Sequence, residues 1–520
     1  MRILRRATCA AGIVVLTVWP STGADWLTYG ADPQRTGYAR GETKLSRETI
    51  KSLRLQWKLK LDDTAKELTS LTAPLVAEQV YTSRGVKDIV VVAGASDTLY
   101  AIDADTGKLL WQKTFQIEGS PKQKPHWLCP NALNATPTIE KGGRGLGERT
   151  VHIIASDGKL HSLNIINGED RHTPTQFVPP FSKNWSLNLV NGILYTSTSQ
   201  GCNGAKSGVY AMDLSDPSRP VKFFQAAPAG GGIWGRAGVA VSADGLVFAE
   251  TGDGPYDPAQ GKLTDTILAL SARDLKLVDY YTPANREWIT KKDLDMGNIS
   301  PVVFPFKQRE LVVGGGKEGV LYLMDAKSLG GSTHRKPLFR SPLYLNEDVD
   351  FAGRGFWGAF ATYADAEGNR WVYAPAWGPV HSGAPSFPLT NGPTPNGSIM
   401  AFRVEEKDGG PVLVPAWISR DLDVPEPPVI ANGVVFALSS GENVRQLDSA
   451  GHILDSHARA SAPRGNAVLY AFDASTGKEL FSSEKIISSF THFSGLAISS
   501  GRVYVTTFDS TVYAFSGPPE

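Results

Sequence analysis

The stretch Leu99-Tyr100-Ala101-Ile102-Asp103 decides the fold of this chain, because close copies of it recur along the whole sequence. Four of the eight copies place an aromatic residue and then alanine between apolar neighbours. The other copies lie at residues 160–164, 209–213, 267–271, 321–325, 399–403, 469–473 and 512–516. Such a repeat is typical of architectures in which each unit packs its apolar face against its neighbours.

Each repeat predicts a unit of four antiparallel strands. In the first repeat, apolar stretches at 72–76 and 89–93 precede the signature. The turn Thr106-Gly107-Lys108 follows it and leads into a strand that carries Trp111. Period-two alternation with frequent turn signals favours short antiparallel strands. We therefore predict an all-β fold, in which residues 25–520 form a single eight-bladed β-propeller of four-stranded antiparallel blades.

The N-terminal segment 25–61 is predicted to close the ring. The eighth signature ends at Ser516, so the last blade lacks its outermost strand. Residues 53–61 (LRLQWKLKL) form an isolated strand-like stretch with the aromatic character of the closing strands. Added to the last blade, this N-terminal strand would leave no open edge between the first and last blades.

The first 24 residues predict a signal peptide. Arg2, Arg5 and Arg6 precede a short apolar core at 10–19, and small residues lead to a cleavage point before Asp25. We therefore expect an exported protein, periplasmic or extracellular. The apolar core is too short to cross a bilayer, and no later stretch is apolar enough, so no membrane span is predicted. The formal net charge is zero and no basic run occurs, which argues against a nucleic-acid partner.

Two of the three cysteines, Cys129 and Cys202, remain after removal of the signal. They fall in adjacent repeats, which is compatible with a disulfide in an oxidising compartment or with two separate buried thiols. The chain contains no Cys-x-x-Cys-His motif, so no covalently attached haem is expected.

Insertions predict the face that carries the functional site. Repeats three, four, six and seven carry them between their second and third strands, at 200–207, 251–262, 376–395 and 440–464. Equivalent turns of a propeller emerge on one face, so these loops should crowd one mouth of the channel. In the fifth repeat, Lys317 stands where other repeats have Ser96, Ser156 or Asp509. A long cation there suggests an anionic ligand; the alternative is a solvated turn lysine.

The repeat, completed by the T-G-K-x-L-W turn and strand, resembles the quinoprotein dehydrogenase propellers, which bind pyrroloquinoline quinone (PQQ). The stretches 230–235 (GGGIWG) and 247–254 (VFAETGDG) are similar to more specific parts of that family. The resemblance implies a PQQ-dependent dehydrogenase that oxidises an alcohol or other hydroxylated substrate, small or polymeric. The general repeat also occurs in non-enzymatic propellers, so the alternative is a scaffold that binds a protein or polymer in the cell envelope.

Residue by residue, the resemblance implies three roles. Trp234 takes the position that stacks under the quinone, Asp253 that of a metal ligand, and Lys317 that of a cation beside the quinone oxygens. Two other positions depart from the family pattern: Lys206 stands near an expected calcium-binding glutamate, and Gln260 near the expected catalytic aspartate. Of the positions compared with the family, Asp253 alone therefore supports a calcium site.

The chemistry of quinone-dependent oxidation requires an aromatic platform, cations for the cofactor carboxylates and a base for the hydroxyl proton. Asp253, Asp295 and Asp265 are the candidate bases, and Arg236 is a candidate partner for a carboxylate. The glycines before Trp234 would let a flat ligand approach the backbone; the alternatives are that Trp234 packs between blades and that Asp253 belongs to an Asp-Gly turn. Trp357, Trp377 and His381 are candidates for lining the mouth. Without a haem motif, electrons would leave to a separate acceptor.

Overall fold

The computed structural model describes residues 25–142, 149–346 and 353–517, and the predicted signal peptide lies outside them. Eight antiparallel sheets follow one another along the chain. Every signature stretch forms or overlaps the third strand of its sheet. The first strands of most neighbouring sheets contact one another, and the first strand of blade eight contacts that of blade one. The predicted eight-bladed all-β propeller is confirmed.

The first four blades have their strands in simple sequence order. In blade three two short strands share the first position. The strands are Leu75–Thr82, Gly85–Gly94, Thr98–Asp103 and Leu109–Thr114 in blade one; Thr138–Glu140, Thr150–Ile154, Lys159–Asn164 and Thr175–Gln176 in blade two; Lys183–Asn184 with Asn188–Val190, Ile193–Ser199, Gly208–Asp213 and Val221–Gln225 in blade three; and Ala240–Val241, Val247–Glu250, Ile267–Leu270 and Leu277–Tyr281 in blade four.

The last four blades follow the same order, and blade six carries additional short strands. The strands are Val302–Phe306, Arg309–Gly314, Tyr322–Asp325 and Phe339–Arg340 in blade five; Gly355–Phe356 with Ala361–Ala364, Arg370–Trp377, Gly397–Lys407, Gly410–Ile418 and the edge strand Leu389–Thr390 in blade six; Val429–Ala431, Val434–Ser439, Val468–Asp473 and Glu479–Ser482 in blade seven; and Leu496–Ser499, Arg502–Thr506, Thr511–Ser516 and Arg54–Lys60 in blade eight. A parallel pair, Ile299–Ser300 with Gly358–Ala359, links blades five and six.

The last strand of blade eight is the predicted closing strand. Arg54–Lys60 pairs antiparallel with Thr511–Ser516, with Trp57 opposite Ala514. Trp57 also donates a 2.8 Å hydrogen bond from Nε1 to the carbonyl of Ala104 in blade one. The ring is therefore closed by hydrogen bonds within blade eight and by a tryptophan that bridges to blade one.

The glycine of the Thr-Gly-Lys turn explains how blades dock. Gly107 has φ +68°, and a Cβ added there would lie 2.6 Å from the Trp57 ring. Trp417 packs in the same way against Gly477 and donates to the Ala474 carbonyl at 2.8 Å. The turn thus accepts the tryptophan of a neighbouring blade, which only a residue without a side chain allows.

The N-terminal residues before the closing strand form an unexpected hub. Backbone groups of residues 26–37 hydrogen-bond to the first strands of blades one, two, four, five, six and seven. The buried guanidinium of Arg35 donates to the carbonyls of Tyr29, Leu187 and Val239. This segment therefore ties most of the ring together across its inner strands.

The remaining elements are short. The described residues include two α-helices, α1 (Arg286–Lys291) and α2 (Ser456–Ser461), and four 3-10 turns at Thr49–Ser52, Cys202–Gly204, Pro258–Gln260 and Gly331–Thr333. Cys129 and Cys202 form a disulfide, which ties the connection between blades one and two to the insertion of blade three. In the part of the chain that the structure describes, no helix is long and apolar enough to span a membrane.

Candidate functional site

A cavity of about 750 Å³ opens among the insertions, on the face where the sequence predicted the site. Its wall includes Lys206 from the insertion of blade three, Asp253 from that of blade four and Arg459 from that of blade seven. The insertions therefore meet over the same mouth of the propeller. A cavity of this size is sufficient for a cofactor together with a small substrate.

Aromatic rings line one side of the cavity. The rings of Trp234 and Trp357 meet edge to face at 5.3 Å, and Trp357 stacks on Trp377 at 4.3 Å. Phe493 continues the row 6.4 Å from Trp377. We call these four residues the aromatic row. It offers the flat apolar surface on which a planar cofactor can stack.

The glycines before Trp234 have a packing role that the sequence did not predict. A Cβ added at Gly230 would lie 2.3 Å from the carbonyl oxygen of Asp253. The amide of Gly252 donates to the Gly232 carbonyl at 2.8 Å. These glycines thus allow two protein segments to pack closely. Gly230 and Gly232 also line the cavity, so the expectation that they let a flat ligand approach stays a prediction.

Lys317 lies at the Trp234 end of the row. Its ammonium is 5.2 Å from the centre of the Trp234 ring, 2.9 Å from Asp293 Oδ1 and 3.5 Å from Asp295 Oδ2. The side chain is only 3% exposed, so it is not a solvated turn lysine. Burial alone would lower the pKa of Lys317, but the neighbouring carboxylates of Asp295 and Asp293 outweigh burial and raise it. Lys317 therefore carries a fixed positive charge at the cavity wall.

Asp295 is the buried partner of that lysine. Burial raises the pKa of its carboxyl to about 8, against the opposing effect of the Lys317 ammonium. Among the described residues, no group donates a hydrogen bond to its Oδ1. Asp295 also lines the cavity. A carboxyl whose pKa lies near neutral pH and which reaches the cavity is suited to exchange a proton with a ligand.

The other two predicted bases are placed differently. Asp253 lines the cavity, and burial together with the charge of Asp293 raises its pKa. Asp265 is absent from the cavity wall and fully buried, where it accepts a hydrogen bond from Thr290. Burial raises the pKa of Asp265 to about 7. Asp265 is thus a buried structural carboxyl close to the site rather than a group that meets a ligand.

Arg236 is already paired within the protein. Its buried guanidinium forms an ion pair with Glu426, from the connection between blades six and seven, and lies 3.9 Å from the Phe493 ring centre. Arg236 lies behind the aromatic row, where it lines a small recess of about 40 Å³. His381 likewise lies outside the cavity wall. Arg236 is thus paired with Glu426, and its contact with a ligand carboxylate stays a prediction.

A second charged cluster at the Phe493 end of the row was not predicted from the sequence. It comprises Lys183, Arg459 and His492 on the cavity wall and Glu442 behind them. Glu442 accepts from His492 Nδ1 at 2.8 Å and pairs with Arg459 at 3.2 Å. Burial alone would raise the pKa of Glu442, but His492, Arg459 and Arg236 outweigh burial and hold it at about 2. These residues come from blade three, the insertion of blade seven and the connection to blade eight, and no local motif marks them.

The donor set fits PQQ better than it fits calcium. A flat ortho-quinone with three carboxylates can find a ring surface on the aromatic row and cations at Lys317, Lys183 and Arg459. By contrast, residues 25–142, 149–346 and 353–517 contain no group of three or more His, Cys, Asp or Glu side chains placed to hold a metal. The carboxyl groups of Asp253, Asp293 and Asp295 already have a cation beside them, which is the ammonium of Lys317.

Fold and site together define a propeller with a large cavity, and comparisons with known proteins show what it is similar to. Residues 26–199 match the family model described as "PQQ: Glucose/ethanol/alcohol dehydrogenase, beta-propeller domain". The 1-butanol dehydrogenase (cytochrome c) of Thauera butanivorans is 23% identical over 222 residues, which are 42% of this chain and 29% of that protein. The match thus spans less than a third of that relative.

Solved structures agree on the fold. The quinohemoprotein alcohol dehydrogenase from Comamonas testosteroni has a TM-score of 0.59 and 15% identity, with 96% of this chain and 81% of that chain covered. A europium-containing methanol dehydrogenase has a TM-score of 0.58 and 13% identity, with 95% and 98% covered. The resemblance inferred from the repeats is confirmed: residues 26–199 are similar to the PQQ dehydrogenase propeller domain, and the whole chain shares the propeller fold of these solved alcohol dehydrogenases.

Proposed function

We propose that this protein is a PQQ-dependent dehydrogenase that oxidises an alcohol or other hydroxylated substrate. The observation that carries the proposal is the buried Lys317 ammonium beside the Trp234 ring at the wall of the large cavity. A cation next to an aromatic platform matches what a planar quinone with polar oxygens requires. The similarity of residues 26–199 to a PQQ-binding propeller domain supports the same cofactor.

Each side chain has a role that follows from its position. When bound, PQQ supplies an ortho-quinone that accepts a hydride from the substrate carbon. Trp234 provides the stacking surface, and Lys317 places positive charge at the edge of that surface. Asp295 accepts the hydroxyl proton, because its carboxyl reaches the cavity and its raised pKa makes it a stronger base than an exposed aspartate. No step is assigned to calcium.

The remaining parts of the proposal concern partners and location. Electrons leave to a separate acceptor, in keeping with the cytochrome c in the name of the Thauera butanivorans relative. The substrate is a small molecule or a polymer that reaches the cavity between the insertions. Residues 1–24 export the protein to the periplasm or beyond the cell.

The test is a dye-linked oxidation assay on protein loaded with PQQ, with a panel of primary alcohols, polyols and hydroxy acids. We expect oxidation of at least one class, with kcat/KM rising as the pH passes through about 8, since Asp295 acts in its ionised form. Asp295→Asn should bind PQQ normally and lose turnover by about 10²-fold or more. The exposed control Asp244→Asn should keep full activity. An inactive panel, or full turnover by Asp295→Asn, would contradict the proposal.

A further inference from the structure

The two ends of the aromatic row carry opposite excess charge. At the Trp234 end, Lys317 faces the carboxyl groups of Asp253, Asp293 and Asp295. At the Phe493 end, the described cations outnumber the described carboxylates. The cations there are Lys183, Arg236 and Arg459, and the carboxylates are Glu426 and Glu442. The Phe493 end therefore has one positive charge without a carboxylate among the described residues.

Lys183 carries that unbalanced charge. Among the described residues its ammonium has neither a hydrogen-bond nor an ion-pair partner, and it lies 5.4 Å from the Trp185 ring centre. Burial, together with the nearby charge of Arg459, lowers the pKa of Lys183 to about 8. Lys183 is half-buried at the cavity wall, where its ammonium faces the space that a ligand would occupy. A partly desolvated lysine without an anionic partner favours binding of an anion.

Arg459 is held in place at the same corner. It lies on α2, whose N-terminus is capped by Asp455 through a 2.8 Å bond from the Ala458 amide. Its guanidinium pairs with Glu442 and lies 5.9 Å from the Trp127 ring centre. Among the described residues, Arg459 pairs with one carboxylate, that of Glu442, which is shared with His492. Further donors of the guanidinium are therefore available for a second anion.

We propose that Lys183 and Arg459 form a carboxylate-binding subsite at the Phe493 end of the cavity. Trp127 and Trp185 flank it and suit a carboxylate on a flat or ring-bearing ligand. Two ligands of the proposed reaction offer that group: PQQ itself, or a hydroxy acid substrate. The subsite deepens the proposed function and depends on it for the identity of the ligand, whereas its chemistry can be tested without the cofactor.

The first arm uses cofactor-free protein. Naphthalene-2-carboxylate and its neutral counterpart 2-naphthalenemethanol are titrated while tryptophan fluorescence is recorded. We expect at least tenfold tighter binding of the carboxylate, loss of that preference in Lys183→Met and retention in Lys183→Arg. Lys222→Met, an exposed lysine on the outer strand of the same blade, is the matched control and should keep the preference. Absence of a preference in the wild type, or its survival in Lys183→Met, overturns the proposal.

The second arm identifies the source of the carboxylate. If it belongs to the cofactor, Lys183→Met should weaken PQQ binding at least tenfold. If it belongs to the substrate, PQQ binding should be unchanged and KM should rise for a hydroxy acid but not for the matching alcohol. If neither changes, the subsite proposal is wrong. If PQQ fails to bind the wild type while the naphthoate preference holds, the proposed function fails and the subsite stands.

Discussion

The ammonium of Lys317 lies 3.5 Å from Oδ2 of Asp295, and both side chains are almost completely buried, with 3% and 6% exposed. Burial of either charge alone would be costly, so the pair is stable only as a unit, together with Asp293 at the cavity rim. This arrangement fixes a cation at the Trp234 end of the aromatic row. It also explains why the fifth repeat departs from the short polar residues of the other turns.

Lys317→Met is predicted to destabilise the protein by about 3–5 kcal/mol at pH 8, since it leaves Asp295 without its cation. Asp295→Asn in the same background should recover a large part of that loss. Urea unfolding of the four members of the double-mutant cycle measures the coupling. A loss in the double variant equal to the sum of the two single losses would show that the two side chains do not act as a pair.

Asp265 should make stability depend on pH. Its pKa is raised from 3.8 to about 7 by burial, so the neutral form is the one that the fold prefers. The contribution of Asp265 to the free energy of unfolding is therefore complete below pH 3.8 and is lost as the pH rises through about 7. The total loss is about 4 kcal/mol, at ~1.36 kcal/mol per pH unit. Asp265→Asn should flatten the pH dependence of the free energy of unfolding between pH 5 and 8. The exposed control Asp244→Asn should retain it, and an unchanged slope in Asp265→Asn would refute this prediction.

The closing strand should support the whole ring. Trp57→Ala removes a ring that packs against Gly107 and a hydrogen bond to Ala104, so we expect a loss of about 3–5 kcal/mol. Lys58→Ala, an exposed position on the same strand, should change little. Unfolding followed by circular dichroism should show a single transition at lower denaturant for Trp57→Ala. A wild-type melting curve would mean that the ring does not depend on this junction.

The disulfide should stabilise the cavity wall as well as the chain. It joins segments that contribute Leu128 and Gln200 to the cavity. The double variant Cys129→Ser with Cys202→Ser should lose about 2–4 kcal/mol of stability and bind cavity ligands more weakly. Calorimetry in the absence of reductant compares it with the wild type. Unaltered ligand affinity would show that the wall keeps its shape without the crosslink.

The sequence was most informative where residues repeat. The signature, the Thr-Gly-Lys turn and residues 53–61 predicted the blades and their closure, because strand pairing and blade docking depend on local patterns. Lys317 could be singled out for the same reason, since it breaks an alignment of equivalent turns. Trp234, suggested by a local motif of the family, and Asp295, one of the candidate bases, also lie at the cavity that the insertions enclose.

The sequence was least informative where contacts join distant blades. Nothing near Arg236 shows that Glu426, 190 positions later, is its partner. Lys183 and Arg459 meet only because the ring brings blade three opposite the insertion of blade seven. The hub at residues 26–37 is extended and has no periodicity, so its hydrogen bonds to six blades could not be foreseen.

The most direct test of the central claim is a titration of the purified protein with PQQ, with and without calcium, followed by visible absorbance and melting temperature. We predict saturable binding at micromolar PQQ with a raised melting temperature, and at least tenfold weaker binding by Trp234→Ala. The exposed aromatic control Tyr81→Ala should bind as the wild type does. If the wild type does not bind micromolar PQQ, or if Trp234→Ala binds it equally well, the quinone site described above is contradicted.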